Sequence, residues 1–131
     1  MSENASLGSI SPFFIVKDIH ESVRFYVERL GFGVQLLAPE EDPIFALVRR
    51  DAVQILLKVI SDEIEPQPNP TRHEWAPWDA FVFVEDPASL VRELGSRGLV
   101  FHRELAIRDD GLHGFEVRDS DGYVLFFGTP A

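Results

Sequence analysis

The chain has no cysteine in 131 residues, which removes disulfides, thiolate catalysis and cysteine metal ligands from consideration. No staple is needed at this length, since a single domain of roughly 150 residues buries about two-thirds of its unfolded surface. Basic charge is also scarce. Twelve Lys and Arg face 22 Asp and Glu, for a net charge of -10 and a pI near 4.7. Such a field repels phosphate backbones, so nucleic acid is not an expected partner. The acidity serves either solubility or the attraction of a cationic small ligand. No run approaches the roughly 20 apolar residues of a membrane span, and Met1 to Gly8 shows no basic cluster followed by an apolar stretch. The expectation is a soluble, cytoplasmic protein without a membrane partner.

What the chain does have is repetition. Setting residue i against residue i+68 superimposes Val16 on Val84, Asp18 on Asp86, Val23 on Val91 and Arg24 on Arg92. Ile10 to Lys17 is an apolar, β-branched and aromatic run opening after a Ser-Pro pair, which predicts a strand. From Ile19 to Leu30 the apolar residues recur at helical spacing, with Asp18 as N-cap and Gly31 as stop. Strands are predicted at Phe32 to Ala38, Ile44 to Arg49 and Ala52 to Val59, completing a βαβββ unit. Ser61 to Pro77 holds four prolines and neither period, and so reads as a linker. A second unit follows, with a strand at Asp79 to Val84, a helix at Pro87 to Arg97, and strands at Val100 to Ile107, Gly114 to Arg118 and Tyr123 to Phe127. The predicted organisation is one domain over 1–131, with module one at 9–59, the proline-rich linker at 60–77 and module two at 78–128.

With these blocks in place the chain resembles the vicinal oxygen chelate superfamily, the group of glyoxalases, bleomycin-resistance proteins and extradiol dioxygenases. The residues that carry the likeness are Val16-Lys17-Asp18-Ile19 through Phe25-Tyr26, then Arg29-Leu30-Gly31-Phe32, and finally Gly114 through Tyr123 with its Asp119-Ser120-Asp121-Gly122 turn. The resemblance implies an α+β fold, two tandem βαβββ modules forming a curved mixed sheet around a cavity. It also implies where metal-using members place their ligands. Those positions correspond here to Ser11, Gln54, Asp79 and Phe126. A zinc, iron or manganese site needs at least three His or carboxylate donors, and this set offers one. The expectation is therefore no catalytic residue, no metal and no cofactor, as in the bleomycin-resistance branch whose members bind an antibiotic unchanged. A non-standard metal site would have to be built from His73, Glu74, Asp79 and His102. The alternative function is a glyoxalase-like lyase or dioxygenase using such a site.

Strand alternation fills in the cavity once the resemblance places Ser11 and Asp79 facing it. Phe13 and Ile15 follow on the first strand, Phe81 and Phe83 on its counterpart, and Val124 and Phe126 on the last. Trp78 is predicted to turn toward the helix, which leaves Trp75 on the linker as a stacking lid, and His102 is placed at the rim. The predicted ligand-binding set is Asp79, Phe13, Phe81, Phe83, Phe126, Trp75, Gln54, Ser11 and His102. Two accounts compete for the phenylalanines, an aromatic ligand cavity and a filled core. Two also compete for Asp79, a cationic ligand and an internal salt bridge to Lys58, Arg49 or Arg103. The functional expectation is a metal-independent protein that binds an aromatic or cationic antibiotic-like molecule, and the resemblance implies assembly as a homodimer.

Overall fold

A computed structural model describes residues 4–131, so part of the Met1 to Gly8 reading falls outside the described residues. Module one comprises β1 (Phe13–Ile15), helix α1 (Ile19–Arg24, continuing as a π-helical turn over Phe25–Arg29), β2 (Gly33–Ala38), β3 (Phe45–Arg50) and β4 (Val53–Lys58). A single helical turn, α2 (Asn69–Arg72), interrupts the linker. Module two follows as β5 (Ala80–Phe83), α3 (Pro87–Ser96), β6 (Arg103–Ile107), β7 (Leu112–Arg118) and β8 (Val124–Pro130). The strands form two four-stranded mixed sheets of the same order, β1-β4-β3-β2 and β5-β8-β7-β6. In each, the first strand runs parallel to the last.

Local chemistry repeats with the topology. Asp18 accepts the Glu21 backbone N-H at 3.0 Å and Asp86 accepts that of Ser89 at 3.2 Å, so equivalent aspartates satisfy the free amides at both helix starts. Gly31 ends the first helix with φ +75, and the Phe32 N-H returns to the Tyr26 carbonyl at 2.9 Å. A β-carbon at Gly31 would lie 2.9 Å from Arg97 Nη2 and 3.0 Å from Arg50 Nη1, contacts that these flexible tips can relieve, so it is the positive φ that favours glycine there.

One core serves both modules. Phe14, Val16, Ala46, Val48, Ile55 and Leu57 from the first sheet join Phe115, Val117, Leu125 and Phe127 from the second, with Leu30 and Leu94 from the helices. Polar contacts lock the junction. Tyr26 Oη donates to Asp119 Oδ2 at 2.6 Å, Tyr123 Oη to the Ile15 carbonyl at 2.6 Å, and the Phe14 and Tyr123 rings stack at 4.2 Å. Arg50 grips Glu93 with bonds of 2.9 and 2.6 Å, and this guanidinium holds the Glu93 carboxyl below its usual range. Among the described residues no helix is long and apolar enough to cross a membrane.

Strand alternation gives each sheet a second face turned away from this core, here called the open face. On the first sheet it carries Phe13, Leu56 and Leu47 in one row and Ile15, Lys58 and Phe45 in the next. On the second it carries Phe81, Phe126, Glu116 and Arg103 in one row and Phe83, Gly128 and Gly114 in the next.

Candidate functional site

Three of the predicted aromatic residues stand exposed on the open faces. Phe13 is 54 % exposed on β1 and Phe83 66 % on β5, with Phe81 between these values and full burial. Ser11 and Gln54 of module one line a groove of about 470 Å³ together with Phe81 and Phe83 of module two. The groove therefore brings together four of the nine predicted residues, from both modules.

Phe126 lies on the expected face but is no lining residue, being 1 % exposed. Trp78 covers it at a centroid distance of 4.5 Å and Phe81 at 5.3 Å. The orientation expected for Trp78 is thus corrected: it packs on the open face, not toward the helix. Strand parity failed because the chain reaches β5 only at Ala80, and Asp79 redirects what precedes it. Asp79 Oδ1 accepts the Asn69 backbone N-H at 2.7 Å and Oδ2 accepts that of Val124 at 2.8 Å, while Asn69 Nδ2 donates to the Trp78 carbonyl at 3.2 Å. The carboxylate supplies the cap that Pro68 cannot give α2, and pins this turn beside β8.

Of the two roles expected for Asp79, the internal salt bridge is not formed. Both oxygens are occupied by backbone amides, and it forms no ion pair with Lys58, Arg49 or Arg103 among the described residues. Trp75 also departs from expectation. It is exposed, among the described residues its ring meets only that of His73, at 5.4 Å, and its backbone N-H donates to His73 Nδ1 at 3.0 Å. Nothing brings it over the open faces.

The residue that sequence reasoning missed is Glu116, 3 % exposed in the middle of β7. Its Oε2 accepts Trp78 Nε1 at 3.0 Å and Arg108 Nη1 at 3.3 Å. Arg103 Nε lies 3.7 Å and His102 Nε2 3.9 Å from Oε1. His102 thus stands beside this carboxylate, reached through its own N-H bond to the Glu116 carbonyl at 2.9 Å. Arg108 lies over the rings of Trp78 at 5.1 Å and Phe126 at 5.7 Å, and ion-pairs with Asp110 at 3.3 Å. A signal was available: Phe115 and Val117 point into the core, so alternation places the acid between them on the open face.

The inherited metal positions do not fit a metal ion. Ser11 and Gln54 offer neutral oxygens, the Asp79 oxygens are engaged by amides, and Phe126 contributes only a hydrocarbon ring. His73, Glu74, Asp79 and His102 do not form a replacement, and among the described residues no three His, Asp or Glu side chains converge in a way that could hold an ion.

Several solved structures share this fold. The crystal structure of TioX from Micromonospora sp. ML1 matches with a TM-score of 0.70 at 17% identity, covering 95% of this chain and 100% of that one. A glyoxalase-related enzyme from Clostridium phytofermentans gives 0.74 at 16%, covering 99% and 100%. The bleomycin-binding protein from Streptomyces verticillus, complexed with copper(II)-bleomycin, gives 0.67 at 23%, covering 95% and 96%. No curated protein matches the chain. The family model of this fold matches residues 7–127, and with both modules and their junction inside that span, the chain belongs to the Glyoxalase/Bleomycin resistance protein/Dioxygenase superfamily.

Proposed function

We propose that this chain is a metal-independent, cytoplasmic small-molecule-binding protein that holds a planar aromatic ligand against its open faces without transforming it. The observation that carries the reading is the exchange at the metal positions. Where a metal enzyme needs donors, Phe126 and Trp78 build an aromatic floor, and Asp79 is committed to holding the chain. Exposed Phe13, Phe81 and Phe83 supply apolar, stackable surface of the kind that marks interaction sites. The likeness to a bleomycin-binding protein, at 23% identity, supports binding as the class of activity.

The same exposed rings support assembly as a homodimer. One core draws in the helix-facing sides of both sheets, so neither open face closes against the other within one chain. A second copy would set module one of one protomer opposite module two of its partner and enclose a cup between them.

Thermal unfolding against a panel of aromatic compounds, bleomycin included, tests the ligand reading. A compound at about 100 times its Kd stabilises by about 2.7 kcal/mol. At this chain length that is a midpoint rise of roughly 5–10 °C. Light scattering should give the mass of two chains. If no compound shifts the midpoint, and protein purified without chelator carries stoichiometric zinc, nickel, iron or manganese, the lyase or dioxygenase alternative takes over.

A further inference from the structure

The two modules share a topology but differ in one turn. Arg50 pairs with Val53 across the β3-β4 hairpin and Arg118 with Val124 across the β7-β8 hairpin, so these pairs correspond. Between them module one has only Asp51 and Ala52, whereas module two has Asp119 through Tyr123. Tyr123 and Ala52 thus hold the same place, directly before the last strand of each module. Tyr123 uses that place to close module one. Its ring stacks on Phe14 at 4.2 Å and its Oη donates to the Ile15 carbonyl at 2.6 Å, while Asp121 Oδ1 accepts the Lys17 backbone N-H at 3.0 Å.

The matching place in module two is open. At i+68, Phe14, Ile15, Val16 and Lys17 become Val82, Phe83, Val84 and Glu85. Ala52 stands where a tyrosine would, and Val82 where the ring beneath it would. A cavity of about 400 Å³ lies there, bounded by Ala52, Val82, Phe83, Val84, Glu85 and Leu90 among others. That volume lies in the range of roughly 300–1,000 Å³ for small-molecule sites. Val16 is buried, whereas its counterpart Val84 is half-buried, so apolar surface covered in one module is uncovered in the other. The backbone repeats the contrast. β1 and β5 are both edge strands, and their registers turn the Ile15 and Phe83 carbonyls away from the neighbouring strand. The Ile15 carbonyl receives Tyr123, but the Phe83 carbonyl and the Glu85 N-H meet no described donor or acceptor. The charges around the cavity are Asp51, Glu85, Asp86 and Glu93 against Arg50, which is spent on Glu93 and the Leu30 carbonyl. Asp86 offsets the positive end of α3, which it caps. The remaining field favours a cation.

We infer that this cavity is a second ligand site and that it takes a phenol with a cationic tail. The ring covers Val82 and Val84 as Tyr123 covers Phe14, the hydroxyl donates to the Phe83 carbonyl as Tyr123 Oη does to Ile15, and the ammonium turns to Asp51 and Glu85. The chain thus accepts from solution, in one module, the group that it supplies to the other. This site does not depend on the open-face reading. The open-face groove shares Ala52, Val53, Val82 and Phe83 with it, but Ser89 and Leu90 of α3 border this cavity alone.

Tyramine, phenethylamine and hydroxyphenylpropionate, titrated into the isotope-labelled full chain and followed by amide NMR shifts, decide it. Tyramine is expected to shift Glu85, Ser89 and Leu90 and to bind about five-fold tighter than phenethylamine, the worth of one hydrogen bond. The propionate should bind weakest, and added salt should narrow its gap to tyramine. Ser89→Trp, at an exposed position on this cavity and off the open-face groove, should abolish the tyramine shifts with circular dichroism unchanged. Ala52→Tyr, which supplies the ring from an exposed turn, should do the same. Equal affinity for tyramine and phenethylamine, a propionate that matches tyramine, undiminished binding in folded S89W, or no binding by any of the three overturns the assignment. Shifts at Ser11, Gln54 and Phe81 in place of Ser89 and Leu90 also overturn it, and would support the open-face reading instead.

Discussion

Replacing Asp119 with alanine is expected to destabilise the fold by about 4 kcal/mol, because two buried donors and one part-buried donor lose their acceptor at about 1–3 kcal/mol each. Oδ2 accepts Tyr26 Oη at 2.6 Å, and Oδ1 accepts the backbone N-H groups of Asp121 at 2.9 Å and Tyr123 at 3.0 Å. One carboxylate thus shapes the β7-β8 turn and ties it to the helix of the other module. The unfolding midpoint should fall by roughly 10–15 °C. Tyr26→Phe removes one of the three bonds and should cost about 2 kcal/mol.

The same residue sets a pH dependence whose sign is fixed. Burial, as the largest influence, raises the Asp119 carboxyl from 3.8 to about 6, and burial with the adjacent Asp119 charge pushes the Tyr26 hydroxyl well above its ordinary value. Between these two Asp119 values the native state holds a proton that the unfolded chain has released. Its contribution to stability is therefore full below about pH 4 and is lost as pH rises through about 6. Asp119→Asn keeps an acceptor for the two backbone amides but does not titrate. In urea titrations at several pH values, the stability of D119N relative to the wild type should rise by about 3 kcal/mol between pH 4 and 7 and then level off. A difference that is flat, or that falls, across this window refutes the account of Asp119.

The parts of the molecule governed by local rules were legible in the sequence. Period-two alternation located the strands, Asp18 and Asp86 announced the helix starts, and Gly31 announced a stop that its positive φ requires. Alternation also put Phe13, Phe81 and Phe83 on the open faces. It failed where a tertiary tether outranked it. Trp78 precedes β5, and its direction follows from Asp79 holding Asn69, a contact that no periodicity encodes. The turn α2 went unseen because four residues, Pro70 among them, are too few to show a helical period. Glu116 had a readable face but no readable partners, since Trp78, Arg103 and Arg108 reach it from separate segments.

Phe126 decides whether the aromatic floor is structure or surface. Its ring leans over two glycines: a β-carbon at Gly114 would meet its Cζ at 2.6 Å, and one at Gly128 its Cε1 at 2.5 Å. Trp78 and Phe81 close over it from the other side, and no neighbour can collapse into its place without giving up contacts of its own. Phe126→Ala should therefore cost about 3–5 kcal/mol in urea denaturation, the range for emptying a buried phenylalanine site. Trp78, deprived of its backing, should show red-shifted emission. Phe83→Ala, on the same face but largely exposed, should cost the isolated chain under about 1 kcal/mol, since little apolar surface returns to water. A Phe126→Ala protein within 1 kcal/mol of the wild type would mean that the ring is not packed as described, and the floor on which the ligand is proposed to rest would be absent. The contrast separates two contributions on one sheet face: Phe83→Ala should lose ligand affinity with its fold intact, whereas Phe126→Ala should lose both, because the floor must be rigid before anything can stack on it.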